Sequence, residues 1–91
     1  MIGLDTTPAI NPLYRMQFEK TQACYVLLYP EGMIKLNGSA GEILQLVDGK
    51  LNVGQIIQAL KKRFPDVDDI EADILEFLAD ADQRRWITVD Q

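Results

Sequence analysis

The chain contains no histidine and a single cysteine, Cys24. Without histidine it lacks the usual general base near neutral pH and the commonest metal ligand. A catalytic triad, a histidine–cysteine pair and a metallohydrolase site of ordinary construction are therefore excluded. One cysteine cannot form an internal disulfide or a thiolate zinc cage, so we expect Cys24 to serve as a small apolar residue of a strand. The sequence predicts neither an enzyme nor a metalloprotein.

Long hydrophobic runs are also missing. The N-terminus has no basic start followed by an apolar stretch, so no secretory signal is predicted, and no run is long enough to span a bilayer. These features favour a cytoplasmic protein. The 91 residues, of which 47% are hydrophobic, suit one globular domain with one core.

Charge is unevenly distributed along the chain. Residues 1–65 carry a net charge of +2, whereas residues 66–91 carry a net charge of −7. The acidic C-terminal third should repel phosphate backbones and favour basic partners. The basic cluster Lys61-Lys62-Arg63 falls in the last turn of a predicted helix, where cations offset the helix dipole, and we do not read it as a nucleic-acid site.

Three segments have strand character. Residues 1–13, with Pro8 and Pro12, are expected to form an extended N-terminal arm ahead of a single domain at 14–91. Residues 14–19 alternate between apolar and polar, residues 24–29 are apolar on both faces, and residues 33–37 follow a Pro-Glu-Gly turn. The sequence predicts a three-stranded antiparallel meander.

After Asn37 the pattern acquires a helical period. Ser39 with Glu42 predicts a capping box for a first helix ending at Gly49. Asn52 is expected to cap a second helix that Pro65 ends. Asp68 with Glu71 predicts another capping box for a third helix that reaches about Arg84. Residues 86–89 form an apolar tail expected to dock on the core, and the predicted class is α+β, a three-stranded antiparallel sheet followed by three helices.

The third predicted strand, residues 33–37, lies at an edge of the sheet. Its outer row of backbone donors and acceptors could accept a partner's strand, with main-chain bonds giving affinity and side-chain pockets giving selectivity. The N-terminal arm or a second copy of the chain could equally cover it. The sequence pattern alone leaves these alternatives open.

Several motifs resemble those of a known family. Asn11–Glu19 (NPLYRMQFE), Tyr25–Met33 (YVLLYPEGM), Leu36-Asn37 followed by Ser39–Leu44 (SAGEIL), and Asp48-Gly49 resemble the PqqD family, the peptide chaperones of pyrroloquinoline quinone biosynthesis. The resemblance extends from about Leu13 to Trp86.

The resemblance implies a winged helix-turn-helix-like module that recognises ribosomally made, modified peptides. Such a module would bind the precursor peptide of the quinone and deliver it to a radical S-adenosylmethionine enzyme, which joins a glutamate and a tyrosine of the precursor. It would have no catalytic residues and no cofactor of its own.

The resemblance also implies where the peptide binds, as a strand added along the third strand beside the third helix. The strand side of this groove would be Met33, Ile34, Lys35, Leu36 and Asn37. On the helix, its periodicity predicts Ile70, Asp73, Ile74 and Phe77; a rotation of the helix would bring Leu75 and Leu78 instead.

Two other functions are compatible with the predicted fold. A winged helix regulator would bind DNA through its recognition helix, which needs Lys or Arg, whereas the third helix is the most acidic part of this chain. A structural dimerisation module would pair edge strands or arms between copies. Both a monomer and a homodimer are compatible with the sequence.

Overall fold

The structure, a computed structural model, describes residues 2–90. Its elements in chain order are β1 (Thr7–Ile10), β2 (Arg15–Glu19), β3 (Cys24–Tyr29), β4 (Gly32–Lys35), α1 (Gly38–Leu44), α2 (Val53–Arg63), α3 (Ile70–Gln83) and β5 (Ile87–Asp90). β2, β3 and β4 form an antiparallel sheet in that order. The predicted α+β class, with a three-stranded meander followed by three helices, is confirmed.

A second, two-stranded sheet was not anticipated. β1 pairs antiparallel with β5, with Ile10 opposite Ile87. The first 13 residues are thus extended at Thr7–Ile10, as expected of an arm, but this strand is hydrogen-bonded to the opposite end of the chain. Further bonds fix it to the helical region, including that from the Val53 N–H to the Thr6 carbonyl at 2.8 Å. Because β1 and β5 have four residues each and lie at opposite ends of the chain, the local sequence pattern gives little indication that they pair.

The first two helices are each capped by an asparagine. Asn52 caps α2, accepting a bond from the Gln55 N–H while the Gln55 side chain accepts one from the Asn52 N–H, so the predicted cap is confirmed. For α1, the predicted Ser39 cap is wrong: Asn37 is the capping residue, and its side chain accepts a bond from the Ala40 N–H at 2.8 Å. Asn37 therefore starts the helix instead of ending the strand.

The predicted capping box of the third helix is also wrong. Asp69, not Asp68, precedes α3, and it has a left-handed backbone with φ 56° and no capping hydrogen bond from its side chain. The negative charges of Glu71 and Asp73 in the first turn still favour the positive end of the helix dipole. The first helix ends at Leu44, earlier than the predicted Gly49, because the chain tightens there into turns and the Gly49 N–H bonds to the Pro8 carbonyl.

The core lies between one face of the three-stranded sheet and the helices. Its fully buried side chains include Leu27, Leu44, Ile56, Ile57, Leu60, Ile74 and Leu78. Gly41 brings α1 close to the sheet, since a Cβ at this position would lie only 2.9 Å from Cδ2 of Tyr25. Ile87 of β5 is buried in the same core, which confirms that the C-terminal tail docks there.

Within residues 2–90, no helix combines the length and the apolar content needed to cross a bilayer. Across that same range, no group of three Cys, Asp or Glu side chains is placed to hold a metal ion.

Candidate functional site

The outer edge of β4 is open. The sheet order places β4 at one end, and no strand among residues 2–90 pairs with its outer side. The N-terminal segment, one of the two candidates for covering this edge, pairs with β5 instead.

Backbone hydrogen bonding identifies which residues of β4 are available. The Leu36 N–H donates to the Tyr25 carbonyl at 3.0 Å, so Leu36 directs its main-chain groups toward β3. In an antiparallel pair these groups alternate in direction from one residue to the next. Ile34 therefore also bonds to β3, whereas Met33 and Lys35 direct their N–H and C=O groups away from the sheet. The edge presents two donors and two acceptors at alternate residues.

The side chains of this strand divide between two faces. Ile34 and Leu36 point into the core, and Leu36 is only 4% exposed. Met33, 44% exposed, and Lys35 lie on the outer face. A strand added to this edge would therefore meet the backbone of Met33 and Lys35, while Leu36 supports the fold from beneath.

An apolar pocket of about 130 Å³ lies between the three helices. Its lining residues are Ser39, Glu42, Ile43, Leu60, Phe64, Val67, Ile70, Asp73 and Ile74. Ser39, one of the lining residues, lies in the first turn of α1 and follows Lys35, the last residue of β4, by four positions.

Three of the four predicted helix residues line this pocket: Ile70, Asp73 and Ile74. Phe77 does not, and lies with Asp73, Glu76 and Asp80 around a separate shallow depression on α3. None of the predicted strand residues 33–37 lines the pocket. The alternative rotation of α3 would use Leu75 and Leu78, but neither side chain lines the pocket.

A chain of polar contacts supports the α1 wall of the pocket. The Tyr25 hydroxyl donates to Oε1 of Gln45 at 3.0 Å, and Nε2 of Gln45 donates to Oε2 of Glu42 at 3.2 Å. The same Glu42 oxygen lies 2.7 Å from Nη1 of Arg63 at the end of α2. The carboxylate of Glu42 therefore already has two polar partners, and this series of contacts connects β3, α1 and α2.

The site predicted from the sequence did not include the walls of the pocket that α1 and α2 contribute. Leu60 and Phe64 stood out as members of a helical stripe, but a stripe does not distinguish a buried core from the rim of a pocket. Val67 carried a clearer signal, because it is an apolar residue in a polar, acidic loop, and it is 47% exposed.

An open strand edge for main-chain bonds and an apolar pocket for side chains are the features with which small peptide-recognition modules bind their ligands. The family described as "Coenzyme PQQ synthesis protein D (PqqD)" matches residues 24–87. The chain belongs to this family.

Relatives and solved structures agree with this assignment. The chain is 56% identical over 85 residues to a PqqA binding protein of Pseudomonas paraeruginosa, covering 93% of this chain and 92% of the relative. It is 54% identical over 82 residues to that of Rahnella aquatilis, covering 90% and 86%. The solution structure of the PqqD part of Methylobacterium extorquens PqqCD, described as a stand-alone recognition element for ribosomally synthesised and modified peptides, is similar with a TM-score of 0.76 and 34% identity over 97% of this chain and 95% of that one.

The fold also occurs inside a larger protein. The heterocyclase TruD contains a similar region with a TM-score of 0.71 at 22% identity, over 93% of this chain and 12% of TruD. This likeness concerns the fold alone.

Proposed function

We propose that this protein is a non-catalytic adaptor that binds the precursor peptide of pyrroloquinoline quinone and presents it to the radical S-adenosylmethionine enzyme of the same pathway. The observation that carries the proposal is the pair of outward-facing backbone positions, Met33 and Lys35, at an uncovered sheet edge. A ribosomally made precursor agrees with a cytoplasmic location for the adaptor.

In this proposal the peptide binds as an additional strand on β4. Its backbone pairs with Met33 and Lys35, and each main-chain bond contributes about 0.5–1.5 kcal/mol net. These bonds do not distinguish one peptide sequence from another, so selectivity must come from side-chain pockets. The pocket between the helices supplies one, with Ile70 and Ile74 from α3 providing apolar surface.

The enzyme, not the adaptor, carries out the chemistry. Holding the peptide near the enzyme raises its local concentration, which speeds the reaction without any catalytic residue in the adaptor. Leu36 and Asn37 have supporting parts in this proposal: Leu36 anchors the strand in the core, and Asn37 caps α1 at the pocket.

The charge of α3 argues against the rival role of a DNA-binding regulator. Its solvent-exposed side chains include Glu71, Asp73, Glu76 and Asp80. A recognition helix of this charge would repel the phosphate backbone, whereas winged helix regulators depend on cationic contacts. A gel shift at low salt should show no retarded DNA, and salt-dependent retardation would contradict the adaptor proposal.

The proposal is tested by titrating isotope-labelled protein with the synthetic precursor peptide and following amide chemical shifts. We expect saturable shifts at Met33 and Lys35 and at the pocket residues of α3, with a dissociation constant of about 1 μM or lower, or roughly −8 kcal/mol. A scrambled peptide of the same composition is the control. Saturable shifts confined to other surfaces would refute the site, and no shifts at millimolar peptide would refute the function.

A further inference from the structure

Two carboxylates, those of Glu42 and Asp73, line the otherwise largely apolar pocket between the three helices. Oε2 of Glu42 accepts a hydrogen bond from Gln45 and lies 2.7 Å from Nη1 of Arg63, so its charge is already balanced. Asp73 takes part in no salt bridge among residues 2–90. The pocket therefore has one carboxylate that is available to a ligand.

The neighbours of Asp73 on α3 add to its negative charge. Asp69 precedes it by four residues, and the Asp73 N–H donates to the Asp69 carbonyl at 3.1 Å. Glu76 follows it by three residues, which also makes it a neighbour on the helix surface. Lys61 of α2, a cation that reaches α3, is engaged at 3.6 Å with a different carboxylate, that of Glu71. The charge beside the pocket therefore favours a cationic ligand group.

The rest of the lining is apolar apart from the side chain of Ser39. Its apolar members are Ile43, Leu60, Phe64, Val67, Ile70 and Ile74. The volume of about 130 Å³ is close to that of a cavity of about 150 Å³ lined by Leu, Ile and Phe, which binds benzene. The pocket can therefore hold the hydrocarbon part of one side chain. Val67, which is 47% exposed, extends this apolar surface to the solvent.

An apolar pocket with one unpaired carboxylate selects among side chains. A purely apolar side chain that fills the pocket would displace water from Asp73 and offer no partner in return, and a carboxylate is costly to desolvate in this way. An acidic side chain would be repelled. Lysine and arginine meet both requirements, because their aliphatic stems lie along apolar surface while their charged heads reach a polar group.

We propose that the pocket between the helices binds one lysine or arginine side chain of the precursor peptide, and that Asp73 is the specificity-determining residue. The stem of this side chain packs on Val67 and Ile70, and its charged head pairs with the Asp73 carboxylate. The inference rests on the proposed function and deepens it. Main-chain bonds along β4 accept any extended peptide, whereas this pocket requires a basic residue at one position of the peptide.

A double-mutant cycle between protein and peptide tests the ion pair. Each lysine and arginine of the synthetic precursor peptide is replaced singly by methionine, which is unbranched and uncharged, and binding is measured by fluorescence anisotropy. One of these replacements should raise the Kd about two- to fivefold with the wild-type protein, and Asp73→Asn should raise the Kd of the unaltered peptide by the same factor. Combining the two changes should weaken binding no further, because both remove one interaction. Amide spectra confirm that each protein variant is folded.

Matched controls separate the carboxylate from general charge and the stem from the head. Asp66→Asn removes the same charge from the acidic loop before α3, but Asp66 does not line the pocket, so the Kd should stay almost unchanged. Val67→Ser should raise the Kd about two- to fivefold for the unaltered and the methionine peptide alike, because both stems use this wall. Leu4→Ser, at a similarly exposed residue outside the pocket, should have no effect.

The inference is overturned if the precursor binds but no replacement of a basic residue is coupled to Asp73→Asn. It is also overturned if Asp66→Asn weakens binding as much as Asp73→Asn does, since the effect would then be one of overall charge. In both cases the wild-type protein still binds the peptide and the proposed function stands. Absence of any binding to the wild-type protein would refute the proposed function itself, so the two failures are distinguishable.

Discussion

Replacing Lys35 with proline separates the outer hydrogen bonds of β4 from those that hold the fold. Lys35 directs its N–H away from β3, so proline at this position removes no bond within the sheet. Proline is tolerated on an edge strand when the missing N–H faces outward, and the extended residue before it, Ile34, already has the backbone that proline favours. We therefore expect Lys35→Pro to fold.

Peptide binding should nevertheless suffer. Without this donor the peptide carbonyl is left unpaired, which costs about 1–3 kcal/mol when the carbonyl is buried. At 1.4 kcal/mol per factor of ten, the dissociation constant should rise roughly ten- to a hundredfold. Fluorescence anisotropy with a labelled precursor peptide measures this change, and amide spectra confirm that the variant is folded.

The matched control is Lys35→Ala, which removes the charge and the aliphatic stem but keeps the N–H. Its effect should be a few-fold at most, because an exposed ion pair contributes only about 0.2–1 kcal/mol. A folded Lys35→Pro variant that binds the precursor with wild-type affinity would refute strand addition at β4.

Proline one residue further along is not a valid test. Leu36 donates its N–H to Tyr25 at 3.0 Å and is only 4% exposed. Its replacement by proline would break a bond of the sheet and remove a core side chain, a loss of about 2–5 kcal/mol for the side chain alone. That is a large part of a typical total stability of about 5–15 kcal/mol. Loss of binding in Leu36→Pro would report unfolding.

Three further predictions concern stability. Gly41→Ala should destabilise the protein by about 1–3 kcal/mol in urea denaturation, because the new Cβ would lie 2.9 Å from Cδ2 of Tyr25. This loss should exceed the gain from alanine's higher helix propensity. Unchanged stability would mean that Tyr25 moves freely. Arg85→Gly should stabilise the protein by about 0.5–1 kcal/mol, because Arg85 follows α3 with a left-handed backbone of φ 66°, which glycine adopts without strain. The control Arg84→Gly, at φ −79°, should destabilise the protein. Changes in stability of the same sign for both variants would contradict this explanation. Hydrogen bonds from the backbone N–H groups of Leu51 and Lys50 lower the pKa of Asp48 below its ordinary value of 3.8, so the charged carboxylate stabilises the fold above that pH. The loss of stability caused by Asp48→Asn should therefore shrink as pH falls through the lowered pKa. A loss that grows on acidification would refute the assignment.

Short sequence patterns were sufficient to predict several elements of this fold. The alternation in residues 14–19 and the capping box at Asn52 each depend on neighbours within a few positions, and each corresponds to an observed element. The absence of histidine and the excess of acid after residue 65 do not depend on the fold at all. From these features the class of the fold and the unsuitability of α3 for DNA could be predicted.

The beginnings of α1 and α3 could not be predicted from capping patterns. Ser39 and Asp68 each precede a glutamate by three residues, yet Asn37 and Asp69 are the residues at the helix boundaries. The path of the chain from β4 into α1, and its left-handed turn at Asp69, determine where each helix begins. These are consequences of how the helices pack on the sheet, which a short sequence pattern does not record.

The sequence by itself determined the types of element, their order and the surfaces with apolar or acidic character, because these follow from the spacing of side chains along one segment. Only the tertiary structure decided that β1 pairs with β5 and so leaves β4 uncovered, and that three helices enclose the pocket at Ile70 and Ile74. Such contacts join residues far apart in the chain, and their stability depends on the simultaneous packing of all the elements around one core.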